Sequence, residues 1–281
     1  MTITRSGPAS GEALRAALYE GSIVLAPATA GSLRLVELTR AALERLFESE
    51  DPRTRAAELD DEDVFARVGA VRRELFTAPE VHAVLRELVG ELGLDAREVA
   101  IDPPRLRAIL PGGARNPRAK AVYYAHRDTW YGHPAQLITW WVPLDDLPEE
   151  ETFVFYPELL AREVPNDSER FDYDAWTARG LALRIGWQDR EAGVREQYPA
   201  VNVELPEDAR AVGFSCARGE NLLFSGAHLH RTLPQEGRRA RFSVDFRVVH
   251  LGDHERGRGA PSVDDRSRGS ALSDYLWPAA R

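Results

Sequence analysis

The feature that most constrains this chain is a change in hydrophobic period near residue 99. Before it, apolar residues recur at helical spacing in four segments, with Ser10 placed to cap the first helix and Gly21 to end it. After it, short segments rich in β-branched and aromatic residues alternate with Gly, Pro and Asp-Asp turn signals. The predicted strands are RLRAILPGG, KAVYYAHRD, QLITWWVPL, ETFVFYP, RAVGFSC, NLLFSGAHLHR and RFSVDFRVVHL. This order predicts a mainly β protein with N-terminal helices, built as an antiparallel sandwich or barrel.

A single domain is expected, because β-rich barrels reach 281 residues as one unit. Residues 1–98 form a helical lead-in packed on a barrel of residues 99–251. A polar stretch at 157–200 interrupts the strands, and we interpret it as a lid-like insertion, since a connection of that length in a compact domain is usually functional. Residues 252–281 are interpreted as a flexible C-terminal tail.

Charge and cysteine usage exclude several function classes. The formal net charge of -9 argues against a general attraction to nucleic acid or to an anionic membrane surface. Cys216 is the sole cysteine, so neither an intramolecular disulfide nor a cysteine-held zinc or iron–sulfur centre is possible. The N-terminus lacks a signal-peptide pattern, and no apolar run approaches the ~18 residues of a membrane span. We expect a cytoplasmic protein with a small-molecule substrate, and make no prediction of its oligomeric state.

The segment YYAHRD carries the first candidate metal ligands. On a strand, His126 and Asp128 would project from one face together with Tyr124. An imidazole beside a carboxylate can chelate a divalent ion, but an open catalytic iron site needs a third ligand. The alternative is an ordinary hydrogen-bonded strand pair.

The third ligand is sought near the C-terminal strands. His228 and His230 have the same parity in NLLFSGAHLHR, so alternation alone does not choose between them. In RFSVDFRVV, polar and apolar residues alternate, and Arg241 opens the polar face eleven residues after His230. His228 has an arginine at the same spacing, Arg239, but that residue falls in a turn-like stretch with no strand to orient it.

These features together resemble the iron(II)/2-oxoglutarate-dependent oxygenases, in the phytanoyl-CoA dioxygenase-like branch. The resemblance implies a double-stranded β-helix, the jelly-roll or cupin-like barrel, with His126, Asp128 and His230 as iron(II) ligands. It makes Arg241 the partner of the 2-oxoglutarate C5 carboxylate, supported by Thr232. O2 is then the co-substrate. The carboxylate at 128 favours hydroxylation over halogenation, because the halogenases of this superfamily carry a small residue there.

Aromatic and basic residues near the motif suggest how the rest of the site is built. Trp130, Tyr131 and His133 follow Asp128 at the expected mouth of the barrel, and with Tyr124 they are candidate substrate contacts. Trp140 and Trp141 are interpreted as barrel core. Two arginines of an early strand, Arg105 and Arg107, share one face. We interpret them as solvated, and the alternative is that they face the pocket.

The predicted function is hydroxylation of a small organic molecule, with release of succinate and CO2 from 2-oxoglutarate. Two other classes remain open from the sequence: a cupin-like metal enzyme that does not use 2-oxoglutarate, and a non-catalytic small-molecule-binding barrel. A nucleic-acid substrate is not expected, since no basic stripe with interleaved aromatic residues is present.

Overall fold

The N-terminal part of the chain is helical, as its period predicts. The computed structural model describes residues 3–5, 10–116, 119–178, 198–201 and 203–278. Its first five helices are α1 (Gly11–Tyr19), α2 (Ala30–Phe47), α3 (Pro52–Glu58), α4 (Asp61–Thr77) and α5 (Pro79–Glu91). The Ser10 side chain caps α1 as predicted, and Thr29 and Ser32 form a capping box at the start of α2. None of the helices in the described ranges combines the length and apolarity that crossing a membrane requires.

The strands lie mostly where the second half of the sequence predicts them. They are β1 (Val24–Ala26), β2 (Val99–Ile101), β3 (Arg105–Ile109), β4 (Leu137–Pro143), β5 (Phe153–Phe155), β6 (Asn221–Ser225), β7 (His230–Thr232) and β8 (Arg241–His250). Every residue of β4 and β8 is buried, because one face packs on the helices and the other lines the site described below. Trp140 and Trp141 are both buried in the sheet, as expected.

Within the described residues these strands form two antiparallel sheets, and they do not close into a barrel. The larger sheet has the order β1-β6-β4-β8-β2, with β3 paired to β8, and β5 and β7 form a separate two-stranded sheet. The predicted closure is therefore wrong. Closure requires a continuous hydrogen-bonded ladder around every strand, whereas the β5 region is joined onward only by isolated bridges such as Phe155–Val212. With the helical layer, the fold is mixed helix and sheet rather than mainly β.

Residues 120–131 do not form the predicted strand. Two 3-10 helices, Lys120–Tyr123 and Asp128–Tyr131, flank a single bridge between His126 and His230. A short aromatic run with period-two spacing fits tight turns as well as a strand, so periodicity alone cannot distinguish them. The predicted strand RAVGFSC likewise contributes only isolated bridges.

The C-terminal segment is packed and is not a flexible tail. A short helix, Leu251–Glu255, follows β8, and Leu276 forms a bridge with Ile101 at the edge of the sheet. Asp264 is buried and accepts hydrogen bonds from Arg127 and from the indole of Trp130. Composition does not predict these polar contacts, because it shows only that the segment is rich in Gly, Arg and Ser.

The predicted lid-like insertion is described only in part. Residues 157–178 contain two 3-10 helices and α6 (Tyr173–Thr177), and residues 198–201 follow. The remainder of the insertion, residues 179–197 with Trp187, lies outside the described residues.

Candidate active site

An isolated backbone bridge brings two of the predicted site residues together. His126 and His230 exchange both amide–carbonyl hydrogen bonds at 3.0 Å. Their ring centroids are 4.4 Å apart. His230 also pairs with Phe155 of β5, so His126 lies on the other edge of β7. The distal histidine is thus placed beside the HxD motif although a hundred residues separate them.

The third residue of the cluster is Asp128, which begins a 3-10 helix and is 3 % exposed. Its Oδ1 is 3.6 Å from Nε2 of His126. One ligand atom from each of His126, Asp128 and His230 lies within 4.8 Å of the others, a grouping that could hold a metal ion. Two imidazoles and a carboxylate with open positions are the donor set typical of non-haem iron(II).

Hydrogen bonds orient both imidazoles for this role. Nδ1 of His126 donates to the carbonyl of Tyr124 at 2.8 Å, and Nδ1 of His230 donates to the carbonyl of His228 at 3.0 Å. A carbonyl can only accept, so the proton must reside on Nδ1 in each ring. Nε2 is left as a lone-pair donor on both histidines, which is the tautomer a metal ligand needs.

The local charges favour an ionised carboxylate and a neutral imidazole. Burial by itself raises the pKa of Asp128, but the Arg247 guanidinium and the hydrogen bond with His126 outweigh it and hold that pKa well below its usual value. Nε of Arg247 is 3.7 Å from Asp128 Oδ2, and Thr139 donates to the same oxygen at 2.5 Å. Burial, followed by the neighbouring His126, lowers the pKa of His230 to about 3, so its ring is uncharged at neutral pH.

Arg241 lies in the same cavity and is 2 % exposed. Its Nη1 donates to the backbone carbonyls of Glu151 and Thr152, and its Nε has no hydrogen-bond partner within the described part of the chain. Burial lowers the pKa of Arg241 to about 10, which still leaves it charged at neutral pH. A buried guanidinium with an unused N–H is suited to binding the carboxylate of a ligand.

The cavity around these residues has a volume of about 230 Å³. The half-buried Thr232 of β7 lines it. Most of its wall is apolar and comes from α4, the larger sheet and the described part of the insertion. The aromatic side chains on the wall include Phe65, Tyr123, Tyr131, Trp141, Phe153, Phe171, Tyr173, Trp176, Tyr198 and Phe224.

The four candidate substrate contacts occupy different places. Tyr131 and His133 line the cavity, and Tyr131 packs edge-on against His126 with centroids 5.5 Å apart. Trp130 is instead fully buried in a separate apolar cluster, because its indole N–H turns inward to Asp264 at 2.9 Å. Tyr124 is also absent from the wall, and only its carbonyl participates, through His126.

The alternative pairing of His228 with Arg239 is not assembled. His228 is fully buried in the turn after β6, and its Nε2 hydrogen-bonds to the carbonyl of Gly21 at 3.0 Å. Arg239 lies half-exposed at the surface, where it pairs with Asp51 at 3.0 Å.

Several residues of the site were given no functional role in the sequence predictions. Arg105 and Arg107, interpreted as solvated, line the cavity, and so does Arg247. Tyr275, from the segment expected to be a tail, hydrogen-bonds to Nδ1 of His133 at 2.9 Å. The alternation of β8 does place Arg247 on the face of Arg241, which is the one signal that could have identified it.

Comparison with known proteins gives one strong match. The family model of phytanoyl-CoA dioxygenase (PhyH) matches residues 20–243. The chain also resembles solved structures. One is EvdO2 from Micromonospora carbonacea var. aurantiaca complexed with 2-oxoglutarate, with 14% sequence identity, coverage of 88% of this chain and 94% of that chain, and a TM-score of 0.49. Another is the epimerase SnoN from nogalamycin biosynthesis in complex with Fe3+, alpha ketoglutarate and nogalamycin RO, with 17% sequence identity, coverage of 85% of this chain and 82% of that chain, and a TM-score of 0.43. No curated protein matches the sequence significantly. The family assignment therefore comes from the family model alone.

Proposed function

Because this chain belongs to the phytanoyl-CoA dioxygenase family and is a 2-oxoglutarate-dependent non-haem iron enzyme, we propose that it hydroxylates a small organic molecule. In this proposal His126, Asp128 and His230 bind iron(II), and Arg241 with Thr232 binds the far carboxylate of 2-oxoglutarate. The proposal also takes the helices and sheets as one oxygenase domain, since a single apolar cluster runs from α1 to β8. The family assignment favours this function over a non-catalytic binding barrel.

One observation carries the proposal: the His-Asp-His cluster and the buried Arg241 face the same cavity. The residues fit the two groups chemically. The cluster offers an ionised carboxylate and two imidazoles whose Nδ1 protons are already engaged, and Arg241 offers the planar fork that matches a carboxylate. An apolar wall lies beside both sites.

The side chains of the site have different roles in the proposed reaction. When iron(II) and 2-oxoglutarate are bound, the chemistry they supply is two-electron oxidation of a C–H bond by O2, with one oxygen atom entering the alcohol and one entering succinate, and CO2 released. His126, Asp128 and His230 would hold the metal through two imidazoles and one carboxylate, a donor set that would leave positions for the co-substrate and O2. Arg241 holds the co-substrate at its unreactive end. Tyr131 and His133 hold the substrate against the open side, where their rings line the cavity.

The presence of Asp128 supports hydroxylation in particular. Its carboxylate is buried, ionised and bonded to Thr139, so it would hold the metal itself, where a halogenase has a small residue instead. A cavity of about 230 Å³ with mostly apolar walls, many of them aromatic, fits a small organic substrate.

Arg241→Gln is expected to weaken 2-oxoglutarate binding at least about tenfold, because the charge-assisted fork is lost. The measurement is titration of 2-oxoglutarate into the iron(II)-loaded protein under anaerobic conditions, followed by the visible charge-transfer band and then by succinate formation on adding O2. Arg241→Lys, which keeps the charge but not the fork, should fall between wild type and glutamine.

Arg239→Gln is the matched control, since that arginine is two residues away, half-exposed and bonded to Asp51. It should leave the co-substrate affinity unchanged. A wild-type protein that binds iron(II) but shows neither the band nor succinate would contradict the proposed function. A selective effect of Arg239→Gln would move the carboxylate site to the alternative arginine.

Thr139→Val should lower iron affinity about 10- to 100-fold while the fold is retained. The substitution keeps the side-chain shape but removes the hydroxyl that donates to Asp128 Oδ2 at 2.5 Å, so the carboxylate loses one of the contacts that orient it. Competition with a metal chelator measures the change. Thr177→Val, at a half-buried position in α6 outside the cavity wall, is the control and should leave iron affinity unaltered.

A further inference from the structure

Ion pairs link three arginines and two aspartates into a ladder beside the metal cluster. The Arg107 fork binds Asp245 through Nε at 2.7 Å and Nη2 at 2.9 Å. Asp245 also accepts Nη1 of Arg247 at 3.0 Å, and that guanidinium reaches Asp102 at 3.4 Å. Asp102 is in turn paired with Arg105. The antiparallel register of β3 and β8 produces this ladder, since it sets Arg105 opposite Asp245.

A second guanidinium approaches Arg107 from the helical layer. Arg72 of α4 donates from Nε to the carbonyl of Leu106 at 2.8 Å, and both Arg72 and Arg107 line the cavity. Burial and then the charge of Arg107 lower the pKa of Arg72 to about 10, as expected of two like charges held close together. Asp245 balances part of this positive charge, and a ligand anion near both guanidinium groups would be attracted by each of them.

Part of this pair of arginines is open to a ligand. The side chain of Arg107 is 37 % exposed, although it lies inside the cavity. Its Nε and Nη2 are used by Asp245, and its Nη1 makes no hydrogen bond to any residue that the structure describes. Tyr198 adds a phenol to the same wall. Burial raises the pKa of Tyr198, and among the charges acting on it those of Arg72 and Arg107 have the largest effects.

Aromatic rings connect this basic group to the metal cluster. Tyr131 contacts His126 at a centroid distance of 5.5 Å and contacts Tyr198 at 6.1 Å. Phe171 packs edge-on against Tyr131 at 5.5 Å. A molecule lying along these rings would have its body in an apolar channel, with one end near the cluster and the other near the arginines.

We propose that the substrate is an organic acid whose carboxylate binds Arg72, Arg107 and Tyr198 while its apolar body lies against Tyr131 and Phe171. This inference rests on the proposed function and narrows its substrate class. The acid site and the co-substrate site use different arginines. Arg241 of β8 has a buried Nε without a partner among the described residues, whereas Arg107 of β3 is held by Asp245 and Arg72 belongs to α4.

The test uses matched acids and amides on protein loaded with zinc(II), which does not turn over, and saturated with 2-oxoglutarate. Phenylalkanoic acids from phenylacetate to 6-phenylhexanoate and their primary amides are titrated by calorimetry. At least one acid should bind about tenfold or more tightly than its amide, because only the acid gains charge-assisted hydrogen bonds. Arg107→Gln and Arg72→Gln should each reduce this preference several-fold, whereas Arg72→Lys should retain much of it.

Arg115→Gln is the control, since Arg115 is exposed and does not line the cavity. It should leave the preference for acids intact. The proposal is overturned if no acid binds better than its amide, or if Arg72→Gln and Arg107→Gln weaken 2-oxoglutarate instead of the acid. Failure of 2-oxoglutarate to bind wild type, with an acid preference that still depends on Arg72 and Arg107, would refute the proposed function and leave the acid site standing.

Discussion

Asp128→Ala is expected to lower iron-dependent succinate formation by at least about a hundredfold, more than the effect of removing an outer hydrogen-bond partner. The remaining cluster, His126 and His230, has no carboxylate to balance the metal charge. Arg247 keeps Asp102 and Asp245 as partners, so the protein should remain folded. Iron content by elemental analysis, succinate yield and circular dichroism together measure the outcome.

Asp128→Asn provides a variant of nearly the same shape, and it should show the same loss of iron. Asp208→Ala is the matched control, because that carboxylate pairs with Arg162 at the surface. If Asp128→Ala retained full iron content and turnover, Asp128 would not be a ligand and the proposed His-Asp-His metal site would have to be abandoned.

Asp264→Ala should destabilise the fold by about 3–5 kcal/mol, the cost of removing one partner of a buried ion pair. Asp264 accepts hydrogen bonds from Arg127 at 3.1 Å, from the Trp130 indole at 2.9 Å and from the amide of Val164 at 3.0 Å. Arg127 is 1 % exposed, so its charge would stay buried without a carboxylate. Urea unfolding followed by tryptophan fluorescence measures the change.

The neighbouring residue supplies the control for this prediction. Asp265 is half-buried and its hydrogen bonds go to Ser267, so Asp265→Ala should cost about 1 kcal/mol or less. Equal losses for the two variants would show that the C-terminal segment does not stabilise the fold through Arg127. A large loss at Asp264 alone would establish that this segment stabilises the elements that carry the cluster.

The sequence predictions were accurate where local chemistry decides the outcome. Helical period and capping residues located the N-terminal helices, and Ser10 caps α1 as expected. The alternation in β8 correctly grouped Arg241 with Arg247 on one face, since successive strand side chains point to opposite sides. Iron and 2-oxoglutarate were implied by the resemblance to a known oxygenase family, and the family match confirms them.

The predictions failed where long-range contacts decide. His126 and Asp128 come together through a single bridge and a 3-10 turn, although the reasoning that grouped them assumed a strand. The predicted barrel does not close, because hydrogen bonding between distant strands determines closure. Trp130 lies in the core and not at the expected mouth of the barrel, because Asp264, far along the chain, accepts a hydrogen bond from its indole N–H.

The sequence by itself determined the donor types and their order: HxD, a distal histidine and an arginine after it, in a chain without a cysteine pair to offer another metal site. Only the tertiary structure decided which of these side chains lie close together. Parity left His228 and His230 equivalent, and the turn after β6 separates them by bonding His228 to Gly21. A period-two pattern shows which residues share a face, but not what covers that face. Arg107 therefore became a cavity residue only when β3 paired with β8 and α4 packed over both.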